Sequence, residues 1–221
     1  MIRFQSTVGF TLVCLFLLGG SVLPGFAQDE DLRYQVTDVK GKVFVFRDET
    51  DESSRLRQGQ KVDDGDKITT SEKSEVVLRL KGRAYLHLSP NTKISISRLR
   101  LNDAKGVESR VNLISGRMLT QLDRIQKPSY EVSAGKLIFR AHGTLFEVAR
   151  KKEGIHLTSY EGVMVANFPG HTELVKARQI MKIENGRFRY KHYLKIEDES
   201  RLEEWKNHLA EIHDKQQQGS R

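Results

Sequence analysis

The sequence predicts an all-β body followed by one C-terminal amphipathic α-helix, and two observations carry this prediction. From residue 34 to residue 196, short segments alternate between apolar and polar side chains, which is the pattern of half-buried strands. Glycine and charged turns separate these segments, and no helical period interrupts them. Many short strands without helices between them predict stacked sheets, a β-roll or a solenoid-like body.

The predicted strands follow one another at short intervals. They are rich in Val, Ile, Leu, Phe and Tyr, the residue types that suit a pleated, half-buried surface. The stretch 111–122 is longer than the others, and a kink is predicted at Ser115-Gly116. The predicted strands are 41–46, 76–80, 84–88, 93–99, 111–122, 130–132, 136–140, 145–149, 155–160 and 163–168.

Three glycines, Gly41, Gly116 and Gly162, stand directly before or inside apolar strands. Because glycine adopts φ values that are closed to other residues, we expect the chain to turn into a new strand at these places. The spacing between the three is irregular, so the pattern indicates a recurring corner rather than a true sequence repeat. A recurring corner favours the stacked form of the all-β body.

The end of the chain changes to a helical period. A helix over residues 198–216 is predicted, with one apolar stripe among Glu, Lys, Asn and His residues. We expect the stripe to pack on the β body with its tryptophan as the anchor, and docking on another protein is the alternative. Residues 217–221 are predicted to be a disordered tail. The stripe consists of Leu202, Trp205, Leu209 and Ile212.

The first residues have the pattern of a secretory signal peptide. Arg3 is the only charged residue before Asp29, and the apolar run 8–18 lies between them. The run is followed by Gly25-Phe26-Ala27, with small residues at the positions that a signal peptidase inspects. We therefore predict cleavage after Ala27. An uncleaved membrane anchor is the alternative, although the run is shorter than the roughly 20 residues of a spanning helix.

Composition limits the compartment and the partners. Cys14, the only cysteine, lies inside the predicted signal peptide, so the mature chain has no thiol and no disulfide. Export without disulfides fits a bacterial cell envelope, and we expect a periplasmic or extracellular protein with no membrane span after cleavage. The net charge of +8 favours anionic partners or simply maintains solubility. Export argues against a nucleic-acid partner.

Residues 136–148 read as a strand, a pinched corner and a second strand, and they resemble the corner of the FecR domain. That family typically has an Arg-Gly-Thr-like corner followed by an aromatic residue and an apolar strand. In this chain Ala141-His142 separate the arginine from Gly-Thr, which departs from the family pattern. Residues 65–70 resemble the opening of the family, and residues 160–163 resemble the strand after the corner. The corner residues are Arg140, Gly143, Thr144 and Phe146.

The resemblance covers roughly residues 39–183 and implies an extracytoplasmic β-rich domain that senses or relays signals. In the best-known members, a cytoplasmic segment that handles a sigma factor precedes a membrane helix. Only residues 1–7 precede the apolar run here, so we expect the sensory module alone. The expected organisation is a signal peptide over 1–27, a FecR-like β domain over 28–197, and then the helix and the tail.

Catalytic and metal motifs are not evident. The seven histidines are scattered without metal-ligand spacing, and no serine stands in a nucleophile elbow. We therefore expect no enzyme activity and no cofactor. The leading hypothesis is a non-enzymatic sensing or binding domain that passes a signal to an envelope protein. The alternative is an envelope structural or adhesion protein that binds an anionic cell-wall polymer.

A basic strand near the end of the β region is the candidate for polymer binding. Four cations at alternate positions are predicted to share one face of this strand. They would form an anion-binding face, or a solvated edge whose charges prevent strand-to-strand aggregation. The four residues are Arg187, Arg189, Lys191 and Lys195.

Overall fold

The computed structural model describes residues 32–47, 50, 52–80, 84–101, 107–123, 129–141, 143–185, 187–193 and 196–218. The predicted signal peptide over 1–27 lies outside the described residues, as do His142 and Lys195. The all-β prediction is confirmed, because the described residues form seventeen strands and one C-terminal helix. Within them, no helix has the length and apolarity that a membrane crossing requires.

The strands of the first half are numbered in chain order. They are β1 (Tyr34–Lys40), β2 (Val43–Arg47), β3 (Glu52–Arg55), β4 (Lys61–Val62), β5 (Lys67–Thr70), β6 (Glu75–Leu80), β7 (Ala84–Leu88), β8 (Lys93–Leu101) and β9 (Val107–Leu122). The second half contains β10 (Ser129–Ala134), β11 (Leu137–Ala141), β12 (Leu145–Arg150), β13 (Ile155–Glu161), β14 (Val163–Phe168), β15 (His171–Lys176), β16 (Gln179–Glu184) and β17 (Arg187–Tyr193). The helix is α1 (Ile196–Gln218).

Strand pairing produces two sheets that share β9. Sheet I has the order β4-β1-β6-β7-β9-β12-β13-β16-β17. Sheet II has the order β3-β2-β5-β8-β9-β10-β11-β14-β15. From β10 onward, consecutive hairpins alternate between sheet II and sheet I. This alternation is the stacked roll that the sequence predicts.

The shared strand β9 changes sheets at a glycine. Its first half pairs with β8 in sheet II, and its second half pairs with β7 and β12 in sheet I. Gly116 has a φ of +90°, and a Cβ there would lie 2.5 Å from Thr92 Cα and 2.7 Å from the carbonyl oxygen of Asn91. No side chain fits at this crossing, which explains the predicted kink. Gly41 and Gly162 also have positive φ, each between a strand of sheet I and one of sheet II.

The main core lies between the two sheets. Every second side chain of the central strands points inward, and the resulting cluster of buried residues is continuous from β1 to β16. Each fully buried large apolar side chain contributes about 1.5–3 kcal/mol of transfer free energy. Tyr34 is fully buried and shares a 2.8 Å hydrogen bond with the hydroxyl of Ser109. Burial raises the pKa of Tyr34 to about 12.

Helix α1 packs on the outer face of sheet I, as predicted. The predicted apolar stripe meets a second cluster of buried sheet residues, separate from the main core. Trp205, the expected anchor, is 6% exposed within this cluster. The helix ends at Gln218, two residues beyond the predicted end at residue 216. The sheet residues of this cluster are Val77, Tyr85, Leu119, Leu145 and Tyr160.

Candidate functional site

A cleft of about 350 Å³ lies between helix α1 and the outer face of sheet I, and we call it the helix–sheet cleft. Strands β1, β6, β7, β9, β12 and β13 supply one wall, and the first turns of the helix supply the other. Its floor is apolar, with Leu119 and Tyr160 from the sheet and Leu202 from the helix. Charged side chains surround this floor. The cleft is therefore amphipathic, as sites for small ligands commonly are.

Trp205 organises the cleft. Its indole ring stacks on the imidazole of His87, with ring centroids 4.9 Å apart and an interplanar angle of 16°. The ring of His208 lies 6.1 Å from it on the helix side. The indole Nε1–H is buried and has no acceptor among the described residues.

The charges around the floor are paired across elements. Nε2 of His87 on β7 lies 3.3 Å from Oε2 of Glu75 on β6. This hydrogen bond is the main cause that lowers the pKa of Glu75, and the charges of His87, Lys40 and His208 add to it. Nε2 of His208 lies 3.4 Å from Oδ2 of Asp38 and so joins the helix to β1.

A second pair closes the sheet side of the cleft. Nε of Arg117 on β9 lies 3.6 Å from Oε1 of Glu147 on β12. Farther along the helix, Nζ of Lys206 lies 3.4 Å from Oε1 of Glu161 on β13. Ion pairs of this exposure contribute at most about 1 kcal/mol each. Only the pair of Lys206 with Glu161 joins the helix to the sheet, whereas the pair of Arg117 with Glu147 joins two strands.

The described residues contain no group of three or more His, Cys, Asp or Glu side chains arranged to hold a metal ion. The expectations of no enzyme activity and no cofactor stay predictions. The stacked rings and paired charges suit binding of a small amphipathic molecule.

The predicted family corner is mostly part of the core. Thr144 is 2% exposed and Phe146 is fully buried, with its ring centroid 6.2 Å from that of Tyr130 in an edge-to-face arrangement. Gly143 has a φ of +57°, which lets the chain turn from β11 in sheet II to β12 in sheet I. The backbone carbonyl of Thr144 accepts a 2.9 Å hydrogen bond from the amide of Leu122. These three residues therefore shape the corner.

Arg140, the fourth corner residue, has a different place. It lies on the outer face of sheet II, between the buried residues Phe139 and Ala141. Its Nη2 is 3.0 Å from Oε2 of Glu131 on β10, and Glu131 also pairs with Arg110 on β9. Arg140 is thus one member of a surface network.

The prediction that the basic residues of β17 share one face is wrong. Phe188 pairs with the buried Ile183, and Lys191 pairs with Met181, whereas Arg187 pairs with Glu184. A register shift between these pairs is a β-bulge at Arg189, and it interrupts the alternation. Arg187 and Lys191 therefore lie on opposite faces of the strand.

Two of these cations are also engaged by carboxylates. Nε of Arg189 lies 3.4 Å from Oε2 of Glu184, and Nζ of Lys191 lies 2.5 Å from Oε2 of Glu173. Lys195, the fourth predicted residue, lies outside the described residues. Whether this strand binds an anion stays a prediction, but its cations do not form a common ridge.

The apolar stripe of α1 is occupied by the chain's own sheet. Trp205, Leu209 and Ile212 are each 5–6% exposed, and Leu202 packs beside them. The alternative that this stripe docks on another protein does not agree with the described structure, because the stripe is already buried.

Two sets of side-chain contacts were not predicted from the sequence. The contact between His87 and Trp205 joins residues far apart in sequence, and no local pattern marks it. Arginines on β8 and β9 form a network with Arg140, and the alternation of Arg98-Leu-Arg100 and Glu108-Ser-Arg110 was the signal that could have indicated it.

Comparison with known proteins finds a family match in the middle of this roll. Residues 66–164 match the family model described as FecR protein. This segment is similar to the FecR family. It runs from the start of β5 into β14 and lies inside the range 39–183 that the sequence resemblance predicted. The matched segment supplies His87, Leu119, Glu147 and Tyr160 to the helix–sheet cleft, whereas α1 lies outside the match.

Two crystal structures of a candidate anti-sigma factor from Parabacteroides distasonis are similar to this chain. The first has a TM-score of 0.50 at 14% sequence identity, over 57% of this chain and 59% of that chain. The second has a TM-score of 0.48 at the same identity and coverage. The chain thus spans about three-fifths of that protein, and the first likeness concerns the fold alone. No curated protein matches the sequence.

Proposed function

We propose that this protein is a non-enzymatic sensing and binding domain that relays a signal at the bacterial cell envelope through a protein partner. The observation that carries the proposal is the FecR domain over residues 66–164, whose outer face forms the floor of an amphipathic cleft. The similarity in fold to a candidate anti-sigma factor agrees with a role in signal relay.

The cleft gives the proposal a physical mechanism. A ligand seated in the helix–sheet cleft would contact both the FecR domain and the helix. The apolar cluster under the helix is separate from the main core. The helix can therefore undock from the sheet without unfolding of the roll. A ligand that binds only the docked or only the undocked helix would shift that equilibrium by its difference in affinity. Sensing would then be a change in helix docking.

Export is part of the proposal. The predicted signal peptide would be removed after Ala27, and the mature chain would act in the periplasm or outside the cell. Edman sequencing of the protein from fractionated cells tests this step, and we expect the mature chain to begin at Gln28. A chain that retains Met1 and stays in the membrane fraction would support the anchor alternative.

The signalling role is tested by deletion of the gene and transcript profiling. We expect a limited set of transcripts to change, and the wild-type chain to restore them. The variant Trp205→Ala should fail to restore them because it removes the anchor of the helix. Glu211→Ala is the matched control, since Glu211 lies exposed on the same helix. An unchanged transcript profile in the deletion strain would contradict signal relay.

A further inference from the structure

The outer face of sheet II differs from that of sheet I, because no described element covers it. A network of charged side chains crosses its four central strands, β8, β9, β10 and β11. The network consists of four arginines and two glutamates: Arg98, Arg100, Arg110, Arg140, Glu108 and Glu131. Lys67, Lys93 and Lys176 extend the positive charge toward both edges of the face.

The two carboxylates hold the arginines in place. Oε1 of Glu108 lies 3.1 Å from Nη1 of Arg98, and Oε2 of Glu108 lies 2.8 Å from Nε of Arg100. Oε1 of Glu131 lies 2.6 Å from Nε of Arg110, and Oε2 of Glu131 lies 3.0 Å from Nη2 of Arg140. A hydrogen bond from Arg100 is the main cause that lowers the pKa of Glu108, and a hydrogen bond from Arg98 adds to it. Glu108 therefore stays ionised near neutral pH and holds the guanidinium groups of Arg98 and Arg100.

The network exposes its positive groups and recesses its negative ones. The side chains of Arg100 and Arg140 are 60% and 51% exposed, whereas those of Glu108 and Glu131 are only 19% and 9% exposed. A molecule that approaches this face meets guanidinium groups first. Their free N–H groups are already oriented, so less side-chain entropy is lost when they bind.

Apolar side chains lie on the same face. Val163 is 49% exposed and Leu174 is 53% exposed, and cross-strand pairing continues from Arg140 through Val165 to Leu174. Phe44 near the other edge is 38% exposed. Among the described residues, four large apolar side chains are exposed. Three of them, Phe44, Val163 and Leu174, lie on this face. An exposed apolar group beside fixed arginines is typical of a protein interface.

We propose that the outer face of sheet II docks a partner protein that presents carboxylates to the arginine network and apolar side chains to Val163 and Leu174. The proposal rests on the proposed signal relay and names the surface that would carry it. A repeating anionic polymer offers nothing to the exposed apolar groups. A second copy of the same face is disfavoured because like charges would meet. The arginine forks suit the planar carboxylates of Asp and Glu.

Site-specific photo-crosslinking in the native host tests this surface on the full chain. Benzoylphenylalanine is placed at Ser97, beside the arginines, or at Thr172, beside Leu174, which are both exposed on this face. The control position is Asn207, exposed on the helix at the other face of the molecule. We expect Ser97 and Thr172 to give adducts with the same protein, and Asn207 to give none with it. The crosslinked peptides of the partner should be rich in Asp and Glu.

Charge variants then test the arginines themselves. The double variant Arg100→Gln, Arg140→Gln should lower the adduct yield about tenfold or more, since fixed arginines are frequent hot spots. The double variant Arg187→Gln, Arg189→Gln removes the same charge from sheet I and should leave the yield unchanged. Melting temperatures confirm that both variants fold. If the first does not fold, Val163→Ser with Leu174→Ser replaces it, with the same expected loss.

Several outcomes would contradict the proposal that this face binds a partner protein. Equal loss of adduct in both charge variants would mean that only net charge matters. A protein adduct from Asn207 alone would place the relay on the helix side and would leave the proposed function intact. Charge-dependent binding to vesicles of phosphatidylglycerol and phosphatidylethanolamine, with no protein adduct, would assign the face to lipid. No adduct at any position, together with unchanged transcripts in the deletion strain, would remove the proposed function as well.

Discussion

The ammonium group of Lys191 lies 2.5 Å from the carboxylate of Glu173 and so joins the edge strands of the two sheets. Lys191 belongs to β17, the edge of sheet I, and Glu173 belongs to β15, the edge of sheet II. The same ammonium group donates a 3.2 Å hydrogen bond to the carbonyl oxygen of Leu174. A lysine that covers an edge carbonyl limits pairing with another chain.

Replacement of this lysine should loosen the end of the roll. We expect Lys191→Met to lower the free energy of unfolding by about 0.2–1 kcal/mol, the usual range for an exposed ion pair. It should also increase self-association, because the Leu174 carbonyl becomes available to another strand. Urea unfolding and size-exclusion chromatography measure the two effects. Arg187→Met removes an exposed cation from the same strand, and an equal effect there would contradict the role of Lys191.

Gly116 should tolerate no side chain. Its φ of +90° costs an alanine about 1–2 kcal/mol, and the close approach to Thr92 adds further strain, so we expect Gly116→Ala to lose about 3 kcal/mol or more. Gly59 is the matched control, with a φ of +83° and open space around a Cβ. Gly59→Ala should therefore lose only the conformational part. If thermal unfolding shows the same loss of stability for both variants, the close approach at the sheet crossing is not the constraint.

Local patterns were sufficient to predict the fold class, the corner glycines and the helix. Alternation depends on whether each side chain faces the core, and this is visible within a single strand. The face of Lys191 could not be predicted this way, because a β-bulge in the pairing with β16 reverses the alternation. A bulge is a property of two strands together, and the sequence of one strand does not contain it.

The candidate site was less predictable than the fold. His87 and Trp205 are 118 positions apart and meet only because the helix crosses β7. Arg140 was identified through its family motif, but its partner Glu131 and the neighbouring Arg110 depend on the register of β9, β10 and β11. Pair contacts of this kind follow from the assembled sheets, and no single segment indicates them.

Stability should depend on pH through Glu75. The hydrogen bond from His87 lowers the pKa of Glu75 in the folded protein. The ionised form is therefore favoured by folding, and this contribution is present above the unfolded carboxyl pKa of about 4.3 and lost as the pH falls through the folded pKa. The variant Glu75→Gln should be less stable than wild type at neutral pH. The gap in melting temperature should close as the pH is lowered through the carboxyl range, and a constant gap would contradict the pairing.

Removal of the helix anchor should separate the helix from the roll. Trp205 is buried against sheet I, and loss of a buried tryptophan side chain costs about 3–5 kcal/mol. The lost contacts belong to the cluster under the helix and not to the main core, so we expect Trp205→Ala to undock the helix while the roll stays folded. Hydrogen exchange should show lost protection in α1 and retained protection in β9. The variant Trp205→Phe keeps an apolar ring and removes the unpaired Nε1–H, so the helix should remain docked. Cooperative loss of protection in β9 together with α1 would show that the helix is part of the core, and the cleft could then not act by changing helix docking.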